Sequence, residues 1–130
     1  MFFKPKEISE KTGITTRQLA DMAEKEIVHP VIKAAGYGSS RYYDTKGLFA
    51  IFLAASVRRL LPIGEQRTLV SKAVDNEAAE KKRFCFLDRD ITGLIAVSFS
   101  DDSIVDGFGE KWFSRTIFDL SLIRKKIDEF

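Results

Sequence analysis

"KPKEISEKTGITTRQLADMAEKEI", residues 4–27, reads as two short helices with a turn between them. Pro5 suits a first helical position, where its missing N–H is not needed, Ile8 is the apolar anchor, and Gly13 marks a stop. Thr15 or Thr16 then offers a hydroxyl to cap a second helix, with Leu19, Met22 or Ala23, and Ile27 following at helical spacing. Two helices joined by Gly-Ile-Thr form a helix-turn-helix pattern; the plainer alternative is an αα-hairpin inside a larger fold.

After Ile27 the texture changes. "VHPVIK" (28–33) is β-prone, and Pro30 makes it an edge or irregular strand. The Gly- and Ser-rich stretch "AGYGSS" (35–40) follows, and "SRYYD" (40–44) returns in β-prone residues, which predicts a hairpin, or wing. Asp44 or Thr45 caps a strongly apolar helix to about Leu61, with Leu48, Phe49, Phe52, Leu53, Val57 and Leu60 inward. Alanines at 50, 54 and 55 allow a close neighbour. Pro62 and Gly64 break this helix, and residues 65–82 form another, with Leu69, Val70, Ala73 and Val74 on one face.

From Arg83 the apolar period becomes two. "RFCFLD" (83–88) and "ITGLIAVSF" (91–99) read as strands, the second with Ile91, Ile95, Val97 and Phe99 on one side. Asp101-Asp102-Ser103 reads as a turn and "WFSRTIF" (112–118) as a third strand. Asp119 or Ser121 caps a final amphipathic helix with Leu120, Ile123, Ile127 and Phe130 on one face. The fold class expected is α+β: an N-terminal winged helix-turn-helix, a small β-rich segment and a C-terminal amphipathic helix. We divide it at 1–82, a DNA-binding domain, and 83–130, a segment for dimerisation or an effector.

Composition narrows the function. The chain has 130 residues, 45% of them apolar and eleven of them phenylalanine, enough for a packed core. One cysteine, Cys85 between two phenylalanines, excludes an internal disulfide and a multi-cysteine zinc site, and reads as a small buried residue. With one histidine, His29, neither a metal site nor a Cys–His nucleophile pair is easily built, so no cofactor, no metal and no enzymatic activity are expected. The acids Asp101, Asp102 and Asp106 do not have the spacing of a calcium loop. The start, Met1 to Pro5, lacks a basic leader with a long apolar region, and "LFAIFLAA" (48–55) is too short to span a bilayer; a cytoplasmic protein with no membrane partner is expected. Net charge is only +2, but residues 1–72 hold 12 Lys/Arg against 7 Asp/Glu (+5), and residues 73–130 hold 9 against 12 (−3). A basic first half suits a polyanion.

The second helix would present Thr15, Thr16, Arg17 and Gln18 at its N-terminus. Arg and Gln side chains make bidentate contacts to guanine and adenine edges, and threonine reaches phosphate or a thymine methyl. At the wing, Gly36, Gly38, Ser39 and Ser40 combine little bulk with backbone and hydroxyl donors for phosphate, and Tyr37 is expected to be exposed beside them. Lys33 and Arg41 add charge, and Tyr42 is expected to be exposed while Tyr43 anchors the wing in the core. Plainer readings stand beside these: Arg17 as an i,i+4 partner of Asp21, and Arg58-Arg59 as a solvated helix end rather than phosphate contacts.

These residues resemble the DNA-binding domain of MerR-type regulators, in particular small variants with a Gly-rich wing. The shared features are Thr-Gly-Ile-Thr-Thr-Arg-x-Leu (12–19), Pro30, the Gly-Tyr-Gly…Arg-x-Tyr wing (36–43) and Asp-x-x-x-Leu (44–48), within roughly residues 6–75. The resemblance implies a winged-helix fold, a homodimer on an inverted repeat of double-stranded DNA, and a transcriptional role, with RNA polymerase or an unknown effector as further candidate partners. It assigns Thr15, Thr16, Arg17 and Gln18 to the recognition helix, and Gly38, Ser39, Ser40 and Arg41 to the wing. Ala20-Asp21-Met22 stand where larger members carry Arg-Tyr-Tyr, which moves phosphate binding toward the wing. The family's long dimerisation helix and its metal-sensing cysteines have no counterpart. Segment 83–130 is too small to stand alone, so it is expected to pack against the core helix and to build the dimer contact, through sheet edges or the Leu120/Ile123/Ile127/Phe130 face. Two alternatives remain at this point: an excisionase-like factor that bends DNA, and a winged-helix module for protein–protein contact.

Overall fold

A computed structural model of the protein describes residues 1–32, 41–79, 81–102 and 111–130. Among them are five helices and one three-stranded antiparallel sheet, an α+β arrangement. Helix α1 (Pro5–Thr12) begins on Pro5 and ends at Gly13, whose left-handed φ of +81° lets its N–H reach Ser9 O at 2.9 Å. Helix α2 (Thr16–Glu24) starts after two intervening residues beyond Gly13 and buries Leu19 and Met22 against the Ile8 of α1. It stops before the expected Ile27. Glu26 takes a left-handed φ of 57°, the N–H of Glu26 bonds Ala23 O, and that of Ile27 bonds Met22 O. This is the paired closure of a Schellman motif, made without glycine, and it turns Ile27 and Val28 into the core.

An isolated bridge joins the expected flanks of the hairpin, whose connecting residues 33–40 lie outside the described residues. Val31 N–H donates to Tyr42 O at 2.8 Å and Tyr42 N–H to Ile32 O at 3.0 Å. Phe3, absent from the sequence reading, adds a third limb through reciprocal bonds to Tyr43 of 2.7 and 2.9 Å.

Helix α3 (Thr45–Val57) is the core helix, capped by Asp44 Oδ1, which accepts from Gly47 N at 2.8 Å. It ends at Val57 rather than near Leu61: the N–H groups of Leu60 and Leu61 both turn onto Val57 O, at 3.0 and 3.2 Å, in a tight turn before Pro62. Leu60, expected inward, is 69% exposed in the resulting turn. Buried Gln66 donates Nε2 to Arg58 O and Leu61 O and so satisfies carbonyls that α3 leaves open. Gln66 belongs to α4 (Ile63–Ala79), which buries Leu69, Val70 and Ala73 against α3 as expected.

Strands β1 (Phe84–Asp90), β2 (Ile95–Ser100) and β3 (Trp112–Asp119) lie in the order β2-β1-β3. The expected strand over 91–99 is corrected at its start. Asp90 Oδ1 accepts from Thr92 N, Thr92 Oγ1 and Leu94 N, and Gly93 has φ +91°, so residues 91–94 are the turn. Ile91 is consequently 86% exposed instead of lying beside Val97. One sheet face, with Cys85, Val97, Phe99 and Phe118, packs on the helical core. On the other, Asp88 and Arg115 form a two-pronged ion pair of 2.6 and 2.9 Å over Phe86.

Helix α5 (Leu120–Asp128) is capped by Asp119, which accepts from Ser121 N at 3.0 Å. Leu120 is fully buried, and Ile123, Ile127 and Phe130 pack on the same cluster that holds Ile8, Leu19 and Phe49. One core therefore joins residues from both segments of the chain. Arg124 reinforces the joint by donating to Glu77 of α4 at 3.0 Å. Among the described residues, no helix is long and apolar enough to cross a membrane.

Candidate nucleic-acid interface

The N-terminus of α2 is built by a capping box. Thr15 Oγ1 accepts from Gln18 N at 3.1 Å, and Gln18 Oε1 accepts in return from Thr15 N at 3.0 Å. The second bond changes what Gln18 offers. A bidentate contact to adenine uses the amide oxygen and nitrogen together, and here the oxygen already accepts one bond at the helix end, which leaves it one further lone pair. Gln18 therefore presents its NH₂ together with an oxygen shared with the cap. Thr15 keeps its hydroxyl proton, a donor suited to phosphate.

Thr16 and Arg17 are exposed on the first turn. The plainer reading of Arg17 paired it with Asp21, but Asp21 Oδ2 takes Lys25 Nζ at 3.0 Å. Among the described residues Arg17 has no ion-pair partner.

Arg58, which closes α3, borders the same open groove of about 660 Å³ as Thr15, Arg17, Gln18 and Asp21. Arg58 and Arg59 also line a second hollow with Gly13 and Gln18. The sequence reading left the two arginines as a solvated helix end. Their neighbour relation to α2 arises because α3 packs across α2 with its C-terminal end beside the α1–α2 turn. The signal available in the sequence was the Arg-Arg pair following a core helix, which does not tell where that helix ends. The groove is mixed in charge, since Asp21 and Glu24 face Arg17 and Arg58 across it. Arg67 serves the opposite end of α2: its Nε donates to Lys25 O at 2.6 Å, a cation at a helix C-terminus.

Of the wing residues, Lys33, Tyr37, Gly38, Ser39 and Ser40 lie outside the described residues. Arg41 and Tyr42 are described and half-buried, so Tyr42 is less exposed than expected. Lys4 Nζ lies 5.5 Å from the Tyr42 ring centroid and adds a cation beside the wing base. Tyr43 is fully buried, as expected of an anchor. Burial raises its pKa and Arg41 partly offsets that, so the Arg41 charge is felt at the anchor. Gly47 makes room for the ring, since a Cβ there would lie 3.1 Å from Tyr43 Cβ and Cδ1.

Among the described residues no group of three His, Cys, Asp or Glu side chains could hold a metal. Cys85 is buried and its thiol pKa is pushed up to about 12 by desolvation, which leaves it a poor nucleophile. Comparison with protein-family models yields no match, and neither does comparison with characterised proteins.

Proposed function

We propose that the protein binds double-stranded DNA through a MerR-like winged helix-turn-helix and acts as a homodimeric transcriptional regulator. The observation that carries the reading is at the start of α2. A capped, exposed helix N-terminus carries Thr16 and a guanidinium, Arg17, without an ion-pair partner among the described residues, and Arg58 stands beside it. In this reading the first turn of α2 enters the major groove, Arg17 contacts a base edge, and Thr15, Arg58 and the wing with Arg41 contact phosphates. The Gln18 NH₂ group donates to a base acceptor, while its oxygen, shared with the cap, keeps one lone pair for the same base. The exposed sheet edges β2 and β3 are where a second copy would add, because the α5 apolar face is occupied by its own core.

Selection of bound duplex from a random pool tests the whole reading, and an inverted repeat is the expected product. On the selected duplex, Arg58→Ala is expected to reduce the slope of log K against log salt by about 0.9, the value for one phosphate contact, without changing base preference. Arg17→Ala is expected to relax preference at one position, worth about 1–3 kcal/mol. Failure to enrich any duplex, or an unchanged salt slope in both Arg58→Ala and Arg41→Ala, refutes the assignment.

A further inference from the structure

A hollow of about 470 Å³ lies between the α1–α2 turn and the end of α5, away from the exposed face of α2. Ile14, Phe52 and Phe130 give it an apolar lining, and Lys11, Lys126 and Glu129 stand among the same wall residues. Its size falls within the range of small-molecule sites, roughly 300–1,000 Å³. Three observations define the chemistry. Lys11 is held in place, with Nζ 2.8 Å from Phe130 O and 4.6 Å from the Phe130 ring centroid, so its charge is fixed before anything binds. Lys126 is exposed and has no salt bridge among the described residues. Glu129 offsets one of the two cations, so a bare inorganic anion finds little net attraction here.

We propose that this hollow is a binding site for a small organic anion, an aromatic or aliphatic body carrying one carboxylate or sulfonate. The body covers Ile14, Phe52 and Phe130, and the acid group meets Lys11 and Lys126. An uncharged apolar compound would leave Lys126 without an ion-pair partner, and a polar anion would leave the lining wet. Occupation has a route to α2. Ile14 is the middle residue of the turn, and its N–H is held by Thr12 Oγ1 at 3.1 Å, one residue before the Thr15 cap. A ligand pressed on Ile14 therefore acts on the helix end assigned to DNA, and that consequence rests on the proposed function. The binding site itself does not.

The test uses the full chain and 8-anilinonaphthalene-1-sulfonate, an apolar aromatic body with one sulfonate. Binding is followed by its fluorescence and by amide chemical shifts. The expected result is a single site, with shifts at Gly13–Thr16 and along the last turn of α5, and binding weakened at least tenfold in Lys126→Glu. Phe113→Ser, which removes an exposed phenyl from the sheet, should leave affinity unchanged. Shifts confined to β3, equal affinity in wild type and Lys126→Glu, or no binding at millimolar probe would each overturn the site. Lys126 is exposed, so its variant is expected to fold, and far-UV circular dichroism checks this. No DNA enters the assay, so its failure and the failure of the DNA reading are separately visible.

Discussion

Replacing Tyr43 by phenylalanine should make the protein more stable. The side chain is fully buried, and its hydroxyl has no hydrogen-bond partner among the described residues. A buried hydroxyl without a partner costs about 1–3 kcal/mol relative to the hydrated one. Phenylalanine keeps the ring and its contact with Gly47 and removes that cost. The space vacated is small: at ~24 cal/mol per Å³, a void of about 10 Å³ costs only about 0.2 kcal/mol. The backbone pairing of residue 43 with Phe3 does not involve the hydroxyl and is retained. The net gain is about 0.8–2.8 kcal/mol. With a mid-range urea slope of about 2 kcal/mol per molar, the denaturation midpoint should rise by roughly 0.4–1.4 M at constant slope. A midpoint that falls in Tyr43→Phe would show that the hydroxyl has a partner in solution and that the burial argument is wrong.

Two further predictions concern titration. The Cys85 thiol has its pKa raised from 9.0 to about 12 by burial, so the folded state holds its proton where the unfolded chain has lost it. The stability this contributes is complete below pH 9 and is lost as pH rises toward 12; urea midpoints across that range should fall, and more shallowly in Cys85→Ala, whereas native Cys85 should resist thiol reagents at pH 8. Asp119 has its pKa lowered, first by the hydrogen bond from Arg83 and then by Ser121, so its contribution is present above its usual value of 3.8 and is lost as pH falls below it. Asp119→Asn keeps a good helix cap, and Arg83 is more than half exposed, so the variant should lose at most about 1 kcal/mol at pH 7. That difference should vanish at pH 2; a constant difference at both pH values would contradict the assignment.

Much of the fold was legible because single residues in the sequence carry strong local physics. Pro5, Thr15, Asp44 and Asp119 each start a helix where a cap or a first-turn proline predicts one, and Gly13 ends one. The misplaced ends have equally local causes that composition hides. Glu26 closes α2 in a left-handed conformation that glycine would have advertised, and Asp90 organises a turn through 91–94, a stretch whose Ile91 suggested a strand. Phe3 was overlooked because one residue makes no pattern, and its bonds to Tyr43 depend on a segment 40 positions away.

The site was legible in part, for a reason that Gln18 and Arg58 make concrete. Sequence places Gln18 on the first turn of α2, where one side chain is open both to a capping box and to the proposed base contact. Only the bond from Thr15 N to Gln18 Oε1 shows that the oxygen is shared with the helix end. Arg58 presents the converse. Its role depends on where α3 lies relative to α2, which residue spacing along one helix cannot specify. The C-terminal segment shows the same division. Its apolar face at Leu120, Ile123, Ile127 and Phe130 packs on the helical core as expected, with Leu120 fully buried and the other three partly buried. That placement brings Phe130 and Lys126 beside Ile14, so the end of the face forms one wall of a hollow behind the α1–α2 turn. In the proposed dimer a second copy would add at the edges of β2 or β3, because most of the helix face already packs on the chain's own core.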